Sequence, residues 1–185
     1  MINNNMTAAE LMPKNADDLV LLHERAEKLA QSLDLKQPQH KSHIYMQFKL
    51  NDNTLFGIEQ NMLDEVLYVK RVTTLTWLPT FIYGVINWKG QVLTVLDANY
   101  LCHQQVSTIN EMSKIIVVTY EKKSIGLLVN ELCNFYHYED SELKTNLQSP
   151  IAFNKNYFLG LIDSSVILLN MKVVLTDPKL KIEYQ

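Results

Sequence analysis

The stretch Phe81-Ile-Tyr-Gly-Val-Ile-Asn-Trp-Lys-Gly-Gln-Val-Leu-Thr-Val-Leu-Asp97 holds two short β-like runs, Val85 to Trp88 and Val92 to Leu96, parted by Lys89-Gly90. Glycine at that point supplies the positive φ that a tight hairpin turn needs, and the β-branched and aromatic flanks suit a pleated, half-buried surface. The expected element is a hairpin with the charge of Lys89 near its tip. A shorter version stands near the C-terminus, Gly160-Leu-Ile-Asp-Ser-Ser-Val-Ile-Leu-Leu-Asn170. Most of the chain is therefore expected to be one unit built twice.

Upstream of the hairpin the strand signals are regular. Ile44, Met46, Phe48 and Leu50 alternate with Tyr45, Gln47 and Lys49 in a period of two. Asn51-Asp-Asn53 forms a turn cluster, Leu55 to Glu59 a return strand, and Leu63 to Val69 a third strand. The run Thr73 to Leu78 leads through Pro79 into the hairpin, and Asp97 caps a short helix ending near His103. After a polar connection over Gln104 to Ser113 the pattern restarts. Ile115 to Tyr120 is a strand, Glu121 to Ser124 a polar turn, and Ile125 to Val129 a return strand.

Laying Phe48 on Val117 without a gap puts Gly57 on Gly126, Asn61 on Asn130, Leu63 on Leu132 and Val66 on Phe135. Gly84 then falls on Gly160, and Asp97 on Asn170 once the turn is shortened. The ordered series indicates duplication. The expected fold is mainly β: two five-stranded barrel subdomains, about 44–103 and 113–176, with short connections that make the sheets antiparallel. Gly57, Gly84, Gly90, Gly126 and Gly160 are its turn and strand glycines. A long polar loop over Ser141 to Asn156, broken by Pro150, lies in the second half.

The segment 1–40 reads differently. Met1 to Asn15 is an Asn-rich leader, and Asn15 can cap a helix over about 16–33 whose apolar residues Leu22, Ala26, Leu29 and Leu33 line one face. That stripe packs on the β-domain or docks a partner. Lys36 to Ser42 is a polar linker, with His40 and His43 a solvated pair rather than metal ligands.

The 185 residues, 47% hydrophobic and 20% charged, describe an ordinary globular protein with its main domain expected over 41–178. A net charge of −3 and scattered Lys and Arg disfavour nucleic acid, because phosphate binding calls for a clustered basic excess. No secretory leader or span-length apolar run is seen, so a cytoplasmic protein without membrane insertion is expected.

Cys102 and Cys133 lack zinc-ligand spacing and are expected as free thiols. The five separated glycines form no phosphate loop, no cofactor cradle is present, and Asp64-Glu65, as neighbours on a strand, are expected to face opposite ways. An enzyme is not expected. A hydrolase using Cys102 and His103 is the weakest of the alternatives.

The hairpin, with Leu78-Pro79 before it, resembles the signature of the CheW family, adaptors that couple chemoreceptors to the histidine kinase CheA. The likeness runs from about Ile44 to Thr176 through the Phe48/Gly57 hairpin, Leu63-Asp-Glu-Val66, Ile125 to Val129 and the Gly160 to Asn170 unit. It implies two SH3-like subdomains and a scaffold without catalysis or cofactor. The implied partners are chemoreceptor cytoplasmic tips and the kinase's regulatory domain, at receptor arrays on the inner membrane. Receptor contacts carry over onto Leu63, Glu65, Val66 and Lys89. Three departures stand out: Lys89 where Arg is usual, Asn130 and Asn170 where acids are common, and Thr94 in place of a common Pro. Lysine lacks the planar two-point grip of arginine. The competing expectation is an SH3-like peptide-binding module outside chemosensing.

Overall fold

The structure, a computed structural model, describes residues 42–145 and 154–180. The expected leader, the helix over 16–33, most of the linker and the Pro150 break fall outside them.

Alternation and turn chemistry place the strands close to where the sequence puts them. The first hairpin is β1 (Ser42–Lys49) and β2 (Leu55–Glu59), followed by β3 (Leu63–Tyr68). His43, expected in a linker, belongs to β1 and stacks on Tyr138 at 5.1 Å between ring centroids. The opening hairpin is β4 (Ile82–Trp88) and β5 (Gln91–Asp97), and α1 (Ala98–His103) follows at once. The second half brings β6 (Lys114–Tyr120), β7 (Lys123–Val129), β8 (Glu131–Glu139), β9 (Phe158–Ile162), β10 (Val166–Leu169) and α2 (Met171–Thr176). The β6–β7 turn is two residues, Glu121-Lys122, tighter than expected, with Glu121 at φ 55°.

Among the described residues ten strands make two five-stranded sheets, ordered β8-β1-β2-β10-β9 and β3-β6-β7-β5-β4. Strand pairing departs from the expected contiguous subdomains. Each sheet joins the first two strands of one repeat to the last three of the other, so the halves exchange strands reciprocally. Nor are the sheets wholly antiparallel: β10 runs parallel to β2, and β5 parallel to β7. A parallel pair needs a crossover of a dozen or more residues, which the exchange supplies because the paired strands are never joined by a turn.

The repeat shows in the registers. Gly57 pairs with Leu168, which pairs with Gly160; Gly126 pairs with Val95, which pairs with Gly84. Gln47 faces Gly57 where Val117 faces Gly126, so before the turn the gapless overlay is one residue out. The first turn is the longer, which absorbs the difference. Gly84 and Gly160 are required by close approach: isolated bridges, Thr73 with Val85 and Lys144 with Leu161, pass directly over them. A Cβ would stand 2.5 Å from Thr73 O at the first and 2.8 Å from Lys144 O at the second.

Three apolar clusters follow from this arrangement. Leu67, Ile86, Leu93, Val95, Ile115, Val117 and Leu128 fill the interior of one sheet, and Tyr45, Tyr138, Ile162, Val166 and Leu168 that of the other. The largest, including Phe48, Ile58, Val118, Leu127 and the inner faces of α1 and α2, draws on both sheets. At roughly 1.5–3 kcal/mol for each fully buried large side chain, this shared cluster ties the exchanged halves into one unit.

The helices are short and depend on their caps. Asp97 accepts from Asn99 N and Tyr100 N and, fully buried, also takes Ser107 N at 2.8 Å and Ser107 Oγ at 2.6 Å. Asn170 caps α2 through Val173 N, in the position matched to Asp97. Asn130 is buried and donates through Nδ2 to Asn51 Oδ1 and Thr108 O, which a carboxylate could not do.

Candidate docking surface

The signature hairpin turns as its sequence requires. Lys89 at φ 50° and Gly90 at φ 80° carry the chain from Trp88 to its partner Gln91, the two successive positive φ values that suit the twist of a two-residue hairpin. The tip is exposed rather than buried, and Val92 beside it is largely in solvent.

Where the hairpin tip goes is decided by a β-bulge. In the pairing of β3 with β6, Leu63 faces Val118 and Glu65 faces Val117, which leaves Asp64 as an extra residue. A bulge re-aims side chains that strict alternation would send to opposite faces. Asp64 and Glu65 consequently both reach the β4–β5 tip. Glu65 Oε2 accepts from Trp88 Nε1 at 2.8 Å, and Asp64 Oδ1 pairs with Lys89 Nζ at 2.9 Å. The expectation that these two carboxylates face apart is overturned by this register shift.

Asp64 also accepts from Thr119 Oγ1, and Lys89 Nζ lies 4.2 Å from the centre of the Trp88 ring. The hydrogen bond from Lys89 holds the Asp64 carboxyl below its ordinary value. These contacts draw the two edge strands of the sheet, β3 and β4, toward each other and curl it closed.

Among the predicted contact residues, Glu65 and Lys89 are brought to one place through Trp88, while Val66, in regular register after Glu65, is exposed on the opposite face of β3. Leu63 differs, half-buried and packed on the shared cluster. Tyr68 extends the exposed side of β3, with Lys114 Nζ 5.3 Å from its ring centre. Asp64 and Trp88 complete the surface. Sequence reasoning had no signal for Asp64, since a bulge is a property of pairing and leaves no mark on the strand itself.

Cys102 is buried, and burial first, then the charges of Asp97 and Asp52, pushes its thiol up, so it is held protonated and a poor nucleophile. Among the described residues no helix is long and apolar enough to cross a membrane.

The model of the CheW-like domain matches residues 45–179. The chain belongs to the CheW-like domain family. Within that family it is similar to Protein PilI of Pseudomonas aeruginosa, 26% identical over 120 residues that cover 65% of this chain and 67% of the relative. It is also similar to Chemotaxis protein CheW of Klebsiella aerogenes, 22% identical over 109 residues covering 59% and 66% respectively. The chain thus spans about two thirds of the length of these curated relatives. Scaffolding protein TtCheW from Thermoanaerobacter tengcongensis shares the CheW fold, with a TM-score of 0.64 at 19% identity over 76% of this chain and 97% of that one.

Proposed function

We propose that this chain is a non-catalytic scaffold that couples chemoreceptor cytoplasmic tips to a CheA-type histidine kinase, in chemotaxis or pilus-motility signalling at cytoplasmic receptor arrays. Membership of the CheW-like family supports the adaptor role, and the names of the relatives, one a chemotaxis protein and one PilI, support the two outputs. The observation that carries the reading is the exposed surface where the signature hairpin meets β3. There Glu65 and the Lys89 tip meet through Trp88, with Val66 exposed on the other face of β3 and Leu63 anchoring the strand.

The receptor tip docks on this surface, and the kinase's regulatory domain binds elsewhere on the fold. Calorimetric titration of the full chain against a receptor cytoplasmic fragment and a CheA-type regulatory domain from the same genome tests it. Saturable binding of both is expected; binding of neither overturns the reading.

A further inference from the structure

Duplication gives β3 a counterpart in β8, and the two have diverged. Both carry the extra residue: Met46 faces Phe135 and Phe48 faces Leu132, so β8 fits two residues, Cys133 and Asn134, against Gln47 alone. Asp64 thereby corresponds to Cys133, Glu65 to Asn134, Val66 to Phe135 and Leu67 to Tyr136.

The hairpins that lie beside these strands differ in reach. Ile86 pairs with Leu93 and Ile162 with Val166 at matching positions, but β4–β5 continues through Asn87–Val92 and Trp88–Gln91 while β9–β10 stops. Two pairs at about 3.4 Å per residue make the second arm roughly 7 Å shorter. Among the described residues no counterpart of Trp88 or Lys89 then reaches β8. Leu67 is 5% exposed, whereas Tyr136 is 41% and Phe135 48% exposed, and Asn134 and His137 are open as well.

We infer that the outer edge of β8 is a second interaction surface, and that its occupant is β8 of a second copy of this chain. The charge pattern selects that occupant. From Leu132 to Tyr138 the strand carries no Asp, Glu, Lys or Arg. A twofold interface sets a strand against itself, which an acidic strand such as β3 resists and an uncharged one permits. At the ends, Glu131 is already neutralised by Lys49 Nζ at 2.9 Å, and Glu139 is engaged with Glu142 in a capping box. With the axis at Phe135, the centre of that uncharged run, Phe135 meets Phe135 of the second copy and Asn134 meets Tyr136 of the second copy, each pair on one face of the sheet. The five-stranded sheet would continue across the axis, which satisfies an edge that is otherwise a template for uncontrolled pairing.

Sedimentation velocity of the full chain over a wide concentration series tests this. A concentration-dependent dimer is expected, with Phe135→Lys monomeric over the same range and Val66→Lys, the matching change on β3, as dimeric as the parent. A parent monomeric throughout, or a Phe135→Lys variant that still dimerises, overturns the inference. Hydrogen exchange on the unaltered chain guards against a variant that misfolds: amides of residues 134–137 slow as concentration rises if β8 pairs, and exchange at a fixed rate if it does not.

Discussion

Trp88 Nε1 donates to Glu65 Oε2 at 2.8 Å, joining the signature hairpin to the strand that carries the predicted receptor contacts. Glu65 is therefore both a surface charge and a structural acceptor. The two roles are separable because they rest on different properties of the side chain: the charge acts on a partner, and the oxygen acts on Trp88.

Glu65→Gln keeps an acceptor for Trp88 and removes the charge. It is expected to weaken binding of a receptor fragment while leaving the thermal midpoint within a degree or two of the parent. Glu65→Lys reverses the charge and loses the acceptor, so it is expected to abolish that binding and to cost about 1 kcal/mol of stability. Calorimetric titration read beside thermal unfolding checks both, and equal binding by all three proteins would remove Glu65 from the surface.

Gly84 and Gly90 are glycines for different reasons and should respond differently. Gly84→Ala forces a Cβ against Thr73 O and Val72 Cγ1 and is expected to cost about 1–3 kcal/mol or more, a fall of several degrees in Tm. At Gly90 nothing lies within 4 Å, and the cost is the φ of 80° alone, about 1 kcal/mol. Chemical denaturation ranks the two.

The matched caps provide a comparison within one chain. Asp97→Ala removes four hydrogen bonds to a buried acceptor and leaves the donors of Asn99, Tyr100 and Ser107 unsatisfied. About 2–5 kcal/mol is expected. Asn170→Ala loses one bond, to Val173 N at 3.3 Å, for about 0.5–2 kcal/mol. Urea unfolding midpoints measure the difference.

Tyr157 Oη donates to Asp177 Oδ2 at 2.7 Å, beside Asn154 Nδ2 and opposite Lys179 N on the other oxygen. Burial alone would raise the Asp177 carboxyl, but these donors outweigh it and hold the group below its ordinary value. A depressed folded value means that the contribution is complete above the unfolded carboxylate value, about 4, and is lost as pH falls through the lower folded one. Tyr157→Phe is expected to cost about 1–2 kcal/mol at neutral pH, and the gap from the parent to narrow below about pH 4. Denaturation at a series of pH values checks this; a gap that widens on acidification would contradict it.

The hairpin over 81–97, its turn at Lys89-Gly90, the cap at Asp97 and the duplication were all legible in the sequence, while the helix that Asn170 caps was seen only in the structure. Each rests on local chemistry: a positive φ, an oxygen beside free N–H groups, or side chains alternating along one strand. The contact residues Leu63, Glu65, Val66 and Lys89 came from family likeness and remain a proposal, and the expectation that Asp64 and Glu65 face apart did not hold. A strand read alone shows a period of two, and the extra residue appears only when β6 is laid against it.

The sequence by itself determined roughly where the hairpins turn and that the unit occurs twice. Only the tertiary structure decided which strands pair, and so exchanged them between halves, made two pairings parallel, folded the Lys89 tip onto Asp64, and left β8 open where the shorter hairpin stops. The physical reason is range. Turn and cap preferences are settled within a few residues, whereas pairing partners are chosen by the burial of apolar faces from segments far apart in the chain, which no local pattern encodes.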